Sequence, residues 1–248
     1  MPLKNHVAIV TGAGAGIGKA TALLFAIQGA KVCCNSLSGS AISTVERIKS
    51  QGGEAFFCQG DVSDPDTAQK IVNEAIEKYH KINILFNNAG IVIPGGSDNT
   101  LIEDWDRTMK VNVRSVFLVS KFALPFLRQT KGCIINNASC IALKGTKNRL
   151  AYAASKGAIL SMSKAMAMDC IEFGVRVNCI CPGTVDSPSL RQRIADSNDP
   201  EATRAQFITK QPSGRIGSAE EIAEGVLFLV NATYCVGMNL SMDGGLTA

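Results

Sequence analysis

The stretch Val7-Ala8-Ile9-Val10-Thr11-Gly12-Ala13-Gly14-Ala15-Gly16-Ile17-Gly18-Lys19 decides how this chain folds. The run from His6 to Val10 is short, apolar and rich in β-branched side chains, the pattern of a strand buried on both faces. Glycines at Gly12, Gly14, Gly16 and Gly18 follow at once, and from Lys19 to Gln28 the pattern turns helical. Strand, glycine loop and helix in that order make a cradle for a pyrophosphate. Glycine lets the backbone turn tightly and approach the ligand, and the positive end of the helix receives the charge. Ile17 stands where the commoner GxGxxG motif has its third glycine, so the pattern here is TGxxxGxG. A purely structural turn would need fewer glycines.

Working outward, similar apolar runs recur at Lys31 to Cys34, Ala55 to Cys58, Ile82 to Phe86, Cys133 to Asn136 and Val175 to Cys179, with a seventh at Val236 to Ser241. Helical patterns separate them. The alternation predicts a single α/β domain over 1–248, a Rossmann-type, doubly wound, seven-stranded parallel sheet with helices on both faces. Two long helices are expected at Asp104 to Gln129 and Leu150 to Phe173. One stretch, 184–214, breaks the rhythm with Pro188, Pro200 and Pro212 and reads as a substrate-binding lid beyond the carboxyl ends of the strands.

Composition narrows the function. The 25 Lys and Arg against 21 Asp and Glu are scattered, which argues against a nucleic-acid footprint or a membrane-binding face and for a small-molecule substrate. Nine cysteines, an odd number without zinc spacing, read as reduced and structural. His6 and His80 read as structural too, and no metal is expected. With the first strand so close to Met1 and no apolar run of membrane-spanning length, a soluble, cytoplasmic protein is expected.

Tyr152 and Lys156 lie one helical turn apart in Tyr152-Ala153-Ala154-Ser155-Lys156, after Ser139. On a helix this spacing stacks phenol and ammonium on one face, where the positive charge is expected to lower the tyrosine's pKa and let it trade protons near neutral pH. A lone pair of this kind is usually an ordinary surface pair. Here it closes a series: the glycine loop, Asp61-Val62, Asn87-Asn88-Ala89-Gly90, Asn112 in Lys110-Val111-Asn112-Val113, Ser139, the pair itself and Pro182-Gly183. In that order, over essentially the whole chain, they resemble the classical short-chain dehydrogenases/reductases.

The resemblance implies a hydride-transferring oxidoreductase that uses NAD or NADP. Tyr152 would be the proton donor or acceptor, Ser139 would hold the substrate oxygen, Lys156 would tune the tyrosine and bind the nicotinamide ribose, and Asn112 would hold a proton-relaying water. The cofactor would lie against Gly12, Gly14, Gly16, Ile17, Gly18, Ser36, Asp61, Val62, Asn88, Ala89, Gly90, Pro182, Gly183 and Thr184, together with Tyr152 and Lys156. Ser36 stands where an acid would bind the adenine ribose, and hydroxyls at Ser36, Ser38 and Ser40 tilt the expectation to NADP.

The run from Cys179 to Leu190 resembles the branch containing cytosolic type 2 (R)-3-hydroxybutyrate dehydrogenase and 2-keto-3-deoxy-L-fuconate dehydrogenase. That likeness implies that Arg149, Arg193 and Arg204 face an anionic hydroxy acid or sugar acid. An acyl-carrier-protein substrate would suit a basic rim equally, and a neutral alcohol or ketone is a further alternative. A non-catalytic nucleotide sensor would have lost the tyrosine or lysine. The family's usual homotetramer is expected.

Overall fold

The computed structural model describes residues 1–248. Seven strands, β1 (Val7–Val10), β2 (Lys31–Ser36), β3 (Ala55–Gln59), β4 (Ile84–Asn87), β5 (Cys133–Asn137), β6 (Arg176–Pro182) and β7 (Asn239–Met242), pair in the order β3-β2-β1-β4-β5-β6-β7. Every pairing is parallel. Period-two alternation divides the apolar runs between two cores. Ala8, Val10, Val32, Cys34, Ile84, Phe86 and Ile135 face one layer of buried side chains, while Ile9, Cys33, Leu85 and Ile134 face the other.

The first layer is closed by α1 (Gly16–Ile27), α2 (Ile42–Ser50) and, beyond the sixth strand, a helix at Ala219–Asn231. The second is closed by α3 (Pro65–Tyr79), a helix at Ser115–Thr130 and a long one at Leu150–Cys170. In chain order after α3 come α4 (Ile102–Met109), α5 (Ser115–Thr130), α6 (Leu150–Cys170), α7 (Pro188–Ala195), α8 (Pro200–Thr209) and α9 (Ala219–Asn231). Complete burial of large side chains such as Phe25, Phe86, Ile71 and Leu127 drives the assembly, each contributing roughly 1.5–3 kcal/mol of transfer free energy. The expected sheet is therefore found. At its margins two details differ, because edge strands lack a neighbour to cover them: β3 is only partly buried, and β7 begins at Asn239 rather than Val236.

Three helical expectations also shift. The phosphate-loop helix begins at Gly16, not Lys19, so the last glycines are already helical. The expected helix from Asp104 is broken by a π-turn at Lys110–Arg114, an extra residue in the ladder that turns Asn112 into the interior. The stretch 184–214 contains α7 and α8, each started by a side-chain cap with proline next to it: Ser187 accepts from Leu190 N, and Asp199 from Ala202 N. No helix is long and apolar enough to cross a membrane.

The connections reverse direction at β1, whose neighbours are β2 and β4. That switch point opens a crevice at the carboxyl ends of the strands. A buried polar ladder steadies the ground behind it. Asn87 Nδ2 donates to Asn136 Oδ1 at 2.8 Å and to Ser120 Oγ at 3.0 Å, and Asn136 Nδ2 donates to Ser163 Oγ at 2.7 Å. These bonds lock β4, β5, α5 and α6 together, and α6 carries the Tyr152/Lys156 pair.

Candidate active site

A cavity of about 970 Å³ occupies the crevice. One end is the glycine loop. Gly12 and Gly16 take positive φ angles of 64° and 50°, and a Cβ on Gly18 would collide with the Gly12 carbonyl and Asn88 Nδ2. Asn88 laces this loop to β4, donating from Nδ2 to Thr11 O at 3.0 Å and Gly12 O at 3.2 Å, while Thr11 Oγ1 accepts from the amides of Asn88 and Ala89. The N-cap of α1, Ala15, has no side chain to accept from the first-turn amides, and no acidic residue stands in that turn. Free N–H groups and the helix dipole then face the cavity, which fits the pyrophosphate of a dinucleotide.

Of the sequence-predicted cofactor residues, Gly12, Gly16, Ile17, Asn88, Ala89, Gly90, Tyr152, Lys156, Pro182, Gly183 and Thr184 line the cavity. Gly14 and Gly18 stand behind the wall and let the loop pack: a Cβ on Gly14 would strike Ser40. Asp61 and Val62 also lie off it, with Asp61 Oδ1 accepting from the amide and hydroxyl of Ser63 at the approach to α3. Ser36 departs from expectation. Its hydroxyl donates to Ser38 O and accepts from Ala41 N, so it is already committed to the turn after β2.

At the other end stand Ser139, Tyr152 and Lys156. Lys156, only 4% exposed, donates from Nζ to the Asn137 carbonyl at 2.6 Å, and burial pushes its pKa down to about 8. Its Nζ lies 5.6 Å from the centre of the Tyr152 ring. The expected lowering of the tyrosine's pKa is not what the site shows. Burial raises it above the ordinary value of 10.0, opposed by the hydrogen bond with Ser139 and the charges of Arg193 and Arg149. The cations that act on the phenol are therefore the arginines.

The side chain of Asn112 is held within the protein. It is fully buried, its Nδ2 donating to Ile91 O and Ser155 Oγ, both at 3.0 Å, and its Oδ1 accepting from Ile91 N at 2.8 Å. With both ends of the amide engaged, the side chain braces the segment after Gly90 against α6. Ser139 Oγ accepts from Ile141 N at 3.2 Å.

Arg149 and Arg193 reach the cavity and Arg204 does not, because its side chain is exposed on α8 away from the wall. Burial lowers the pKa of both inner arginines, and for Arg193 the charge of Arg149 adds to the effect. Neither has a carboxylate partner. Lys144, Lys147 and Lys210 stand at the exposed mouth, and no aspartate or glutamate lines the cavity at all. A lysine every few residues between Lys144 and Arg149 was the available signal for that mouth. Gln211 and Leu246, also on the wall, had none, since only the fold brings them there.

A family model described as Enoyl-(Acyl carrier protein) reductase matches residues 12–247. The chain belongs to the short-chain dehydrogenase/reductase family. It is 42% identical to the "Dehydrogenase/reductase SDR family member 6" of Aquarana catesbeiana, over 98% of each chain. It is 38% identical to the meso-2,3-butanediol dehydrogenase of Serratia marcescens, over 100% of this chain and 97% of that one. Among solved structures, levodione reductase superposes with a TM-score of 0.94 at 29% identity, covering 99% of this chain and 98% of the other. As a short-chain dehydrogenase/reductase, it is an oxidoreductase of a family whose dehydrogenases use NAD or NADP.

Proposed function

We propose that this enzyme interconverts a secondary alcohol and a ketone on a short hydroxy or oxo acid, using NAD or NADP. The observation that carries the anionic substrate is the cavity wall, which holds Arg149 and Arg193 without a carboxylate to answer them. Two partly desolvated guanidinium groups that repel one another form a site that a bidentate carboxylate completes. Arg149 precedes Tyr152 by less than one helical turn, so the anion and the reacting carbon lie within a few bonds of each other. This supports the hydroxy-acid and sugar-acid branch.

When bound, the nicotinamide supplies or accepts the hydride. Tyr152 gives the substrate oxygen its proton, or takes it in the reverse direction, and Ser139 holds that oxygen by its hydroxyl. Lys156 anchors the ribose, with Asn112 bracing the wall behind it, and the charges of Arg193 and Arg149 favour the phenolate as it forms. Segment 184–214 acts as the lid that brings Arg193 over the substrate. At Ser36 no carboxylate repels a 2′-phosphate, which favours NADP, with Ser38 and Ser40 left to supply hydroxyls. Nine free thiols suit a reducing, cytoplasmic compartment, and Phe117 and Met168, exposed on α5 and α6, suit burial against further copies in a homotetramer.

The second reading is a 3-oxoacyl group carried on an acidic protein, favoured by the exposed lysines at the mouth. A panel of hydroxy acids, sugar acids, neutral alcohols and carrier-linked oxoacyl thioesters, each assayed with both cofactors, separates the two. Arg149→Glu and Arg193→Glu should each raise KM for a small oxo acid at least roughly tenfold more than for a neutral ketone, the scale of a lost charge-assisted contact. Equal effects on both substrates would remove the anionic reading.

A further inference from the structure

The wall between the glycine loop and Tyr152 contains an unanswered acceptor. Asn137 ends β5 at the cavity, and its main-chain oxygen takes the hydrogen bond from Lys156 described above. The orientation of its side chain follows from its neighbours. Asn88 turns its Nδ2 to two carbonyls, Thr11 O and Gly12 O, so only its Oδ1 is left for Asn137. Asn137 must meet that oxygen with Nδ2, which it does at 2.9 Å. Its own Oδ1 is thereby fixed at the opposite end, buried and without a partner.

Three other side-chain atoms are orphaned in this way, on Thr21, Thr108 and Asn239, and none belongs to a residue of the cavity wall. An amide oxygen buried without a donor is unfavourable, and a flip cannot relieve it without breaking the bond to Asn88. Lys156 Nζ is turned to the Asn137 main chain instead. A hydroxyl brought by a ligand in the adjoining cavity would supply the donor it lacks. A chain of contacts runs along the wall from the glycine loop to Asn88, from Asn88 to Asn137, from Asn137 to Lys156 and from Lys156 to Tyr152. What lies between pyrophosphate and reacting ring in a nicotinamide dinucleotide is a ribose, and its free hydroxyls are donors.

We propose that Asn137 is a cofactor-binding residue whose Oδ1 accepts a hydrogen bond from a hydroxyl of the nicotinamide-bearing ribose. The inference rests on the nicotinamide reading of the cavity. Through Asn88, the same amide ties that hydroxyl to the glycine loop, so the ribose and the pyrophosphate are placed by one connected set of bonds.

The test is a binding cycle read by fluorescence titration in the absence of substrate. The ligands are the reduced cofactor and its analogues lacking the 2′- or the 3′-hydroxyl on the nicotinamide ribose. The proteins are wild type, Asn137→Ala and Asn137→Leu, with circular dichroism to confirm folding. In wild type, removing one of the hydroxyls should weaken binding roughly five- to tenfold, the scale of one hydrogen bond. In the variants the parent cofactor should bind that much more weakly, and the same analogue no worse than the parent. An equal penalty in wild type and variants would overturn the proposal, as would no penalty in wild type, which is measurable even if both variants fail to fold. If wild type binds neither NADH nor NADPH, the nicotinamide reading falls and takes this one with it. Binding without coupling removes this one alone.

Discussion

Tyr152 and Lys156 stand where a spacing of one helical turn places them, yet their electrostatics follow from burial. Desolvation raises the phenol and lowers the ammonium, leaving Lys156 at about 8 in the cofactor-free protein. The consequence for stability has a definite sign. Between about pH 8 and the ordinary lysine value of 10.5, the unfolded chain holds a proton on Lys156 that the folded chain has released, so folding gains from rising pH in this window. Urea denaturation of wild type against Lys156→Met should show the stability of wild type relative to the variant rising with pH by up to about 1.4 kcal/mol per pH unit there, as the cost of burying the ammonium is relieved. A flat difference would mean the ammonium is solvated. Tyr152→Phe should leave cofactor affinity within about twofold while lowering turnover by two or more orders of magnitude, as loss of a general acid requires. Residue identities were legible in the order of the motifs. The sign of the Tyr152 shift was not, because it depends on what covers the ring, and neither was the loss of Arg204, which turns on the direction one face of α8 takes.

Among the elements, the glycine loop and α1 show how tightly a local motif depends on its neighbours. Gly18 is required by the Gly12 carbonyl and by Asn88, which reaches in from the end of β4. Gly18→Ala should therefore open the loop and weaken dinucleotide binding at least roughly tenfold, equivalent to about 1.4 kcal/mol, with a lower melting temperature. Unchanged affinity in a calorimetric titration would show that the loop tolerates the methyl group. Strands and long helices announced themselves by period. The two lid helices did not, because their apolar faces are weak, although Ser187-Pro188 and Asp199-Pro200 carry the cap-then-proline signature that marks a helix start. The π-turn at Lys110–Arg114 left no such mark, since an added residue in a helix alters no composition.

For the whole molecule, burial of the cysteines gives a simple readout of integrity. Eight of the nine free thiols are buried and Cys235 alone is partly exposed, while burial pushes Cys34, Cys58 and Cys181 up to about 12. At pH 8 the native protein should show one fast-reacting thiol toward an aromatic disulfide reagent and all nine after denaturation. Several fast thiols in the native state would mean that the sheet opens readily. The architecture itself was legible because alternation of short apolar runs with helical stretches has few other solutions. The strand order has a further consequence, for how the chain reaches this state. No pairing in the sheet is between antiparallel neighbours, so no hairpin can form early and locally. The central strand waits longest: Val7 N finds Asn83 Oδ1 across 76 positions of chain. During synthesis β1 can pair with β2 while its other edge stays bare until β4 has emerged, which makes slow refolding and crowding-sensitive aggregation the expected behaviour of this chain.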